Sequence, residues 1–162
     1  MKQLQKILIT TFILAMVVGC SRSIPCEKEI YVLPDGFKGQ MIVFFDQSDG
    51  QDIEYKNETR VYRLPASGLL KTQFPRNGGC MGDNRIQFFY EDNAGDRGKL
   101  DFWMDVPRDS IPDNKDYVLM TFLSEKGTKP DFVIHLIGTH QEFKSLTNSV
   151  RDIDPVEILE AL

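Results

Sequence analysis

The feature that most limits what this chain can become is a succession of short β-type segments. Each is stopped within a few residues by Pro, Gly, Asn or Asp. Residues 29–33 (EIYVL) run into Pro34-Asp35-Gly36, where Pro presets φ and Gly permits the turn. Residues 39–46 (GQMIVFFD) follow. Met41, Val43 and Phe45 alternate with Ile42 and Phe44, so both faces of this strand are apolar and it is expected to be central. A polar loop with an Asp49-Gly50 turn signal covers residues 47–58. Strands are then expected at 59–64, halted by Pro65-Ala66-Ser67-Gly68, and at 69–74, followed by a Gly-rich loop over 75–84.

Residues 85–91 (RIQFFYE) and 99–106 (KLDFWMDV) flank a loop of Asn, Asp and Gly and read as a hairpin. Residues 116–124 (DYVLMTFLS) and 131–137 (DFVIHLI) repeat the pattern. After this the period changes. Thr139-His140-Gln141-Glu142 is a capping box, and Phe143, Leu146 and Val150 recur at helical spacing. Asp154-Pro155-Val156-Glu157 opens a second helix with Pro at its first position. The expected class is therefore mainly β: an antiparallel β-sandwich, immunoglobulin- or transthyretin-like, with one or two short C-terminal helices covering a sheet edge or face.

The N-terminus is of a different kind. Lys2 and Lys6 precede an apolar run over residues 7–18, which is shorter than the roughly 20 residues a spanning helix needs and fits a secretory signal. It ends in Val17-Val18-Gly19-Cys20, which resembles a bacterial lipobox. That resemblance implies a diacylglycerol on the Cys20 thiol and cleavage before it. The expected organisation is a removed signal over 1–19, a lipidated cysteine and short tether over 20–27, and one β-rich domain over 28–162. The expected location is the bacterial cell envelope, with the chain attached to the membrane by lipid. By analogy with proteobacterial sorting, Ser21 after the cysteine favours the outer membrane over the outer face of the cytoplasmic membrane.

In such an oxidising compartment Cys26 and Cys80, left over once Cys20 carries lipid, are expected to form a disulfide. The formal charge of −5 becomes −7 without Lys2 and Lys6, and the cations are scattered along the sequence with no basic stripe. That argues against nucleic acid as a partner and against electrostatic docking to anionic lipid.

Three stretches carry a wider resemblance: Tyr31-Val32-Leu33-Pro34-Asp35-Gly36-Phe37-Lys38-Gly39, then Val43-Phe44-Phe45-Asp46, then residues 60–73. They are similar to an uncharacterised bacterial domain family of small secreted or lipid-anchored proteins with Tyr-x-(Ile/Leu)-Pro-x-Gly-Tyr-x-Gly near the mature start. Phe37 stands where Tyr is commoner, and the closing Phe-x-Ile-x-x-Ile-Gly-Thr at 132–139 is also similar. The resemblance implies an extracytoplasmic domain and supplies no catalytic residue.

No nucleophile elbow, zincin or Ser-x-x-Lys motif is present. His135 alternates with Val133 and Ile137 and reads as a packed strand histidine. Asp46–Asp52 superficially suggests a calcium loop, but Gly50 falls where an EF-hand needs an oxygen ligand and Asn57 where it needs a bidentate Glu, so no metal site is assigned. No cofactor is expected. On 99–106 the strand period puts Leu100, Phe102, Met104 and Val106 on one face and Asp101, Trp103 and Asp105 on the other. Trp103 could stack on a sugar ring while the acids bind hydroxyls, with Phe89 nearby. Equally, Trp103 could pack against a neighbouring strand or beneath the C-terminal helix. The expected function is a non-catalytic binding or structural module whose partner is an envelope protein or glycan. The alternatives are an envelope glycan- or peptidoglycan-acting hydrolase using Asp101 and Asp105, or an accessory subunit of an envelope complex.

Overall fold

The computed structural model describes residues 26–78, 85–125 and 127–162. The described residues form nine strands, eight of them in the expected segments and β3 in a stretch read as loop: β1 (Lys28–Pro34), β2 (Gly39–Phe44), β3 (Tyr55–Lys56), β4 (Thr59–Arg63), β5 (Leu69–Lys71), β6 (Ile86–Glu91), β7 (Arg97–Phe102), β8 (Asp116–Leu123) and β9 (Phe132–Thr139). They form a single sheet in the order β3-β4-β1-β6-β7-β8-β9-β2-β5. This corrects the expected antiparallel sandwich. The sheet is mixed and curls into a half-barrel, because β1 pairs in parallel with both β4 and β6, β2 with β5, and β7 with β8. The two hairpins, β6–β7 and β8–β9, are antiparallel as expected.

The curl gives the sheet two unequal faces. Inside it, Tyr31, Leu33, Met41, Val43, Phe45, Tyr62, Phe88, Leu100, Val118 and Val133 form one apolar core drawn from strands all around the sheet. Outside β2, β8 and β9, Ile42, Phe44, Tyr117, Leu119, Ile134 and Leu136 form a second. The two-faced pattern of β2 is thereby accounted for: Met41 and Val43 point into the first core, Ile42 and Phe44 into the second, and all four are buried.

Helices α1 (Phe143–Ser149) and α2 (Pro155–Ala161) supply the cover for the second core through Phe143, Leu146, Ile158 and Leu159. The capping box forms as read. Glu142 accepts from the Thr139 backbone N–H at 2.8 Å and from its hydroxyl at 2.9 Å, turning the chain from β9 into a 3-10 turn that leads into α1. Asp154 caps α2, accepting from Val156 N at 2.9 Å and Glu157 N at 3.3 Å ahead of the predicted Pro155.

A strap joins the two ends of the curl. The backbone of Gln51 donates to Lys71 O at 2.7 Å and accepts from Gln73 N at 3.0 Å, forming a parallel bridge beside β5. Three residues later Glu54 O accepts from Val61 N at 3.0 Å, and the Gln51 side chain accepts from Arg63 N at 3.1 Å. Residues 51–54, read from the sequence as a plain loop, thus span from the last strand back to β4. The approach is close: a Cβ on Gly50 would lie 2.5 Å from the Lys71 carbonyl carbon, a contact only glycine avoids. Beyond the strap, Asn57 and Glu58, both at positive φ, make the two-residue turn between β3 and β4.

Candidate functional site

Two places gather side chains with chemistry. The first is inside the half-barrel, at the end where β1, β4 and β6 begin. Parallel register sets Tyr31 beside Tyr62 and Phe88 in one row, and the three rings stack with centroids 4.7 and 4.9 Å apart. One row lower the same register sets Glu29 beside Arg60. Glu29 is buried and accepts from the hydroxyls of Tyr31 and Tyr62, each at 3.2 Å. Burial raises the Glu29 carboxyl above the ordinary range, while hydrogen bonds from Asn77 and the tyrosines and the nearby Arg60 charge pull the other way.

Arg60 is also buried. Its guanidinium bonds Glu27, donates to Pro75 O at 2.5 Å and lies 4.9 Å over the Phe74 ring. Glu27 is held in turn by the Tyr55 hydroxyl at 3.1 Å, and its backbone exchanges two hydrogen bonds with the Asn77 side chain.

His135 approaches the same stack from β9, edge-on to Tyr31 and Phe88 at 5.2 and 4.9 Å. Its Nδ1 lies 2.8 Å from the Thr121 hydroxyl, and Nε2 has no hydrogen-bond partner among the described residues. Enclosure pushes the imidazole down to about 3, so the ring is neutral at physiological pH. This is the packed strand histidine read from the alternation. Apart from His135 Nε2, the polar side chains of the cluster are paired with one another or with backbone of the core. Burial thus acts in both senses here, holding the proton on Glu29 more tightly and keeping it off His135.

The second place is on the outer side of β7. Here the structure departs from the expected strand. β7 stops at Phe102, and Trp103–Asp105 form a 3-10 turn closed by Val106 N donating to Trp103 O at 3.3 Å. The sequence alternation over 100–106 therefore does not place Asp101, Trp103 and Asp105 on one strand face. β7 pairs with β8 only at Asp101 and Phe102, and past that point the backbone turns for want of a ladder. Trp103 packs beneath the C-terminal helix, 5.0 Å from the Phe143 ring and 5.2 Å from His140, with its indole nitrogen buried. Of the two fates open to Trp103, this is the packing one.

Asp101 and Asp105 do share a pocket of about 280 Å³, together with Lys99, Phe102 and Val106. Asp101 is ion-paired to Lys115 at 2.7 Å. Phe89 lies on β6 opposite Lys99 and does not line this pocket, and neither does Trp103. Of the four residues expected to act together, the fold thus brings together two. Among the described residues, no group of three or more His, Cys, Asp or Glu side chains is placed to hold a metal ion. Cys20 and Cys80 lie outside the described residues. The buried cluster itself was missed by the sequence reading, although a Glu two residues before a strand Tyr, in a segment otherwise apolar, was its one visible trace.

Fold and cluster together define a small mixed-β half-barrel with a buried acid held by tyrosines. The chain belongs to a family of unknown function, DUF6843, whose match spans residues 26–140. A search of curated proteins returned no match. Among solved structures, the chain is similar to a candidate lipoprotein from Bacillus anthracis, at 15% identity and a TM-score of 0.47, over 72% of this chain and 76% of that one. At that level the likeness carries no argument about activity. Among the described residues no helix is long and apolar enough to cross a membrane.

Proposed function

We propose that the chain is a bacterial envelope lipoprotein, anchored through lipid on Cys20, whose domain serves as a binding or structural module without catalysis. Its partner would be an envelope protein or glycan, or a larger envelope complex in which it is an accessory subunit. The observation that carries this reading is the lipobox ending at Cys20, followed eight residues later by the first residue of β1. Two or three acyl chains give durable attachment where one does not. Ser21 favours the outer membrane. Radiolabelled palmitate should enter the wild-type protein and not a Cys20→Ala variant, and the variant should leave the membrane fraction. A variant that stays membrane-bound beside an unlabelled wild type would overturn the anchor.

A Cys26–Cys80 disulfide belongs to the same reading. Both flanks of the loop that holds Cys80 are tied to the start of the domain. Asn77 bonds Glu27, and Arg85 donates to Cys26 O at 3.0 Å. On the chain-entropy account, a bridge of this span contributes about 4 kcal/mol. Mass measurement of the alkylated protein should find both thiols blocked until reduction. Two thiols that alkylate without reductant would sink the bridge.

A glycan-acting hydrolase is the second reading, favoured by the shared pocket of Asp101 and Asp105. The Lys115 ion pair weighs against it, because Asp101 is already engaged by a cation of its own chain and is not free to face a substrate.

A further inference from the structure

The cations that look scattered in the sequence are gathered by register. Thr59 pairs with Lys28 on one side and with Lys56 on the other, and Glu29 N donates to Arg85 O across the next strand boundary at 2.8 Å. Lys56, Lys28 and Arg85 therefore lie in one row across the ends of β3, β1 and β6, with adjacent strands about 4.8 Å apart. All three side chains are exposed. Beside them the Tyr55 ring is half exposed. Of the acids at this end, Glu58 stands at the hairpin tip, Glu27 is already taken by Arg60 and Tyr55, and Asp46 and Asp49 of the neighbouring loop are paired with Lys129 and Lys71. The chain as a whole is acidic, so this row of three exposed cations runs against the general charge.

It is also the end at which the chain enters the domain, since Cys26 accepts from Arg85 and Lys28 opens β1. Cys20 lies six residues before Cys26, and a fully extended chain of that length reaches only about 20 Å. We infer that this end of the half-barrel rests on the membrane, with Lys28, Lys56 and Arg85 seated among the anionic phospholipid headgroups of the bilayer that holds the anchor. The inference rests on the lipid-anchor reading above. The tether brings the surface within reach, and the charges fix which side of the domain is turned to it. Each Lys or Arg at an anionic surface favours the docked orientation by about fivefold.

The test uses the full lipidated protein reconstituted into vesicles, with lysine acetylation read by mass spectrometry. In vesicles containing phosphatidylglycerol, acetylation of Lys28 and Lys56 should fall about fivefold or more relative to the detergent-solubilised protein. Exposed Lys144 on α1 should react equally in both. In neutral phosphatidylcholine vesicles most of the protection should disappear. Protein that floats with phosphatidylglycerol vesicles yet leaves Lys28 and Lys56 as reactive as in detergent overturns the docked orientation and leaves the anchor standing. Equal protection in neutral and anionic vesicles overturns the role of charge. Wild-type protein that fails to float overturns the anchor, and the orientation with it.

Discussion

Acidification should erode the stability advantage of the wild type over a His135→Gln variant by about 1.4 kcal/mol for each pH unit below 6.5. The sign follows from burial. His135 sits at 2% exposure, and its folded-state value is depressed from 6.5 to about 3. Between those values the unfolded chain takes up a proton that the folded one refuses, so stability is lost as pH falls. Its contribution is complete above 6.5. Gln keeps an amide within reach of the Thr121 hydroxyl but does not titrate. Urea denaturation of both proteins at pH 7 and pH 4.5 should show the gap closing by about 3 kcal/mol. A gap that stays constant would mean His135 meets solvent.

Glu29 works in the opposite sense. Its raised folded value means that the folded state binds the proton more tightly, so stability is gained as pH falls through that value toward 4.5. The wild type alone therefore sums two opposed slopes, which is why the comparison with the variant is the informative measurement.

The second large effect is expected at Tyr31, the middle ring of the stack that ties β4, β1 and β6 together. Tyr31→Ala removes a 2%-exposed aromatic and leaves both a cavity and a Glu29 carboxylate short of one donor; the expected cost is about 4 kcal/mol. Tyr31→Phe keeps the ring and gives up only the 3.2 Å hydrogen bond, for about 1 kcal/mol, because Tyr62 still donates. Equal costs for the two variants would show that the hydroxyl, and not the stacked ring, holds this corner of the sheet.

What the sequence disclosed follows the reach of its signals. Period-two alternation is local, so eight of the nine strands, the double-faced β2 and the two hairpins were legible, although β5 and β7 end three and four residues before the expected stop and the two-residue β3 was read as loop. Capping is local as well, and Thr139, Glu142, Asp154 and Pro155 act where they were read. Parallel pairing leaves no comparable mark. The partners of Tyr31 are Tyr62 and Phe88, each at least 30 residues away in the chain, and no turn residue announces either. Hence a sandwich was expected where a curled mixed sheet forms.

Trp103 shows a different limit. Its alternating neighbours satisfy the strand pattern, yet a three-residue 3-10 turn is equally compatible with them, and only the end of pairing at Phe102 decides between the two. The site was less legible still. Asp101 and Asp105 do meet in a pocket, but Glu29 and Arg60 become neighbours through long-range register, and His135 reaches the Tyr31 and Phe88 rings only across the curl of the sheet.

The strap over residues 51–54 has a bearing on how copies of this domain behave when they meet. A half-barrel without such a strap presents two bare rows of backbone donors and acceptors, open to pairing with a second copy. Such rows are templates for runaway strand exchange between neighbours. Here Gln51 occupies the outer row of β5, while Glu54 and the short β3 occupy that of β4. This short stretch of backbone, with β3 beside it, thus keeps neighbouring copies of the domain from knitting into a continuous sheet.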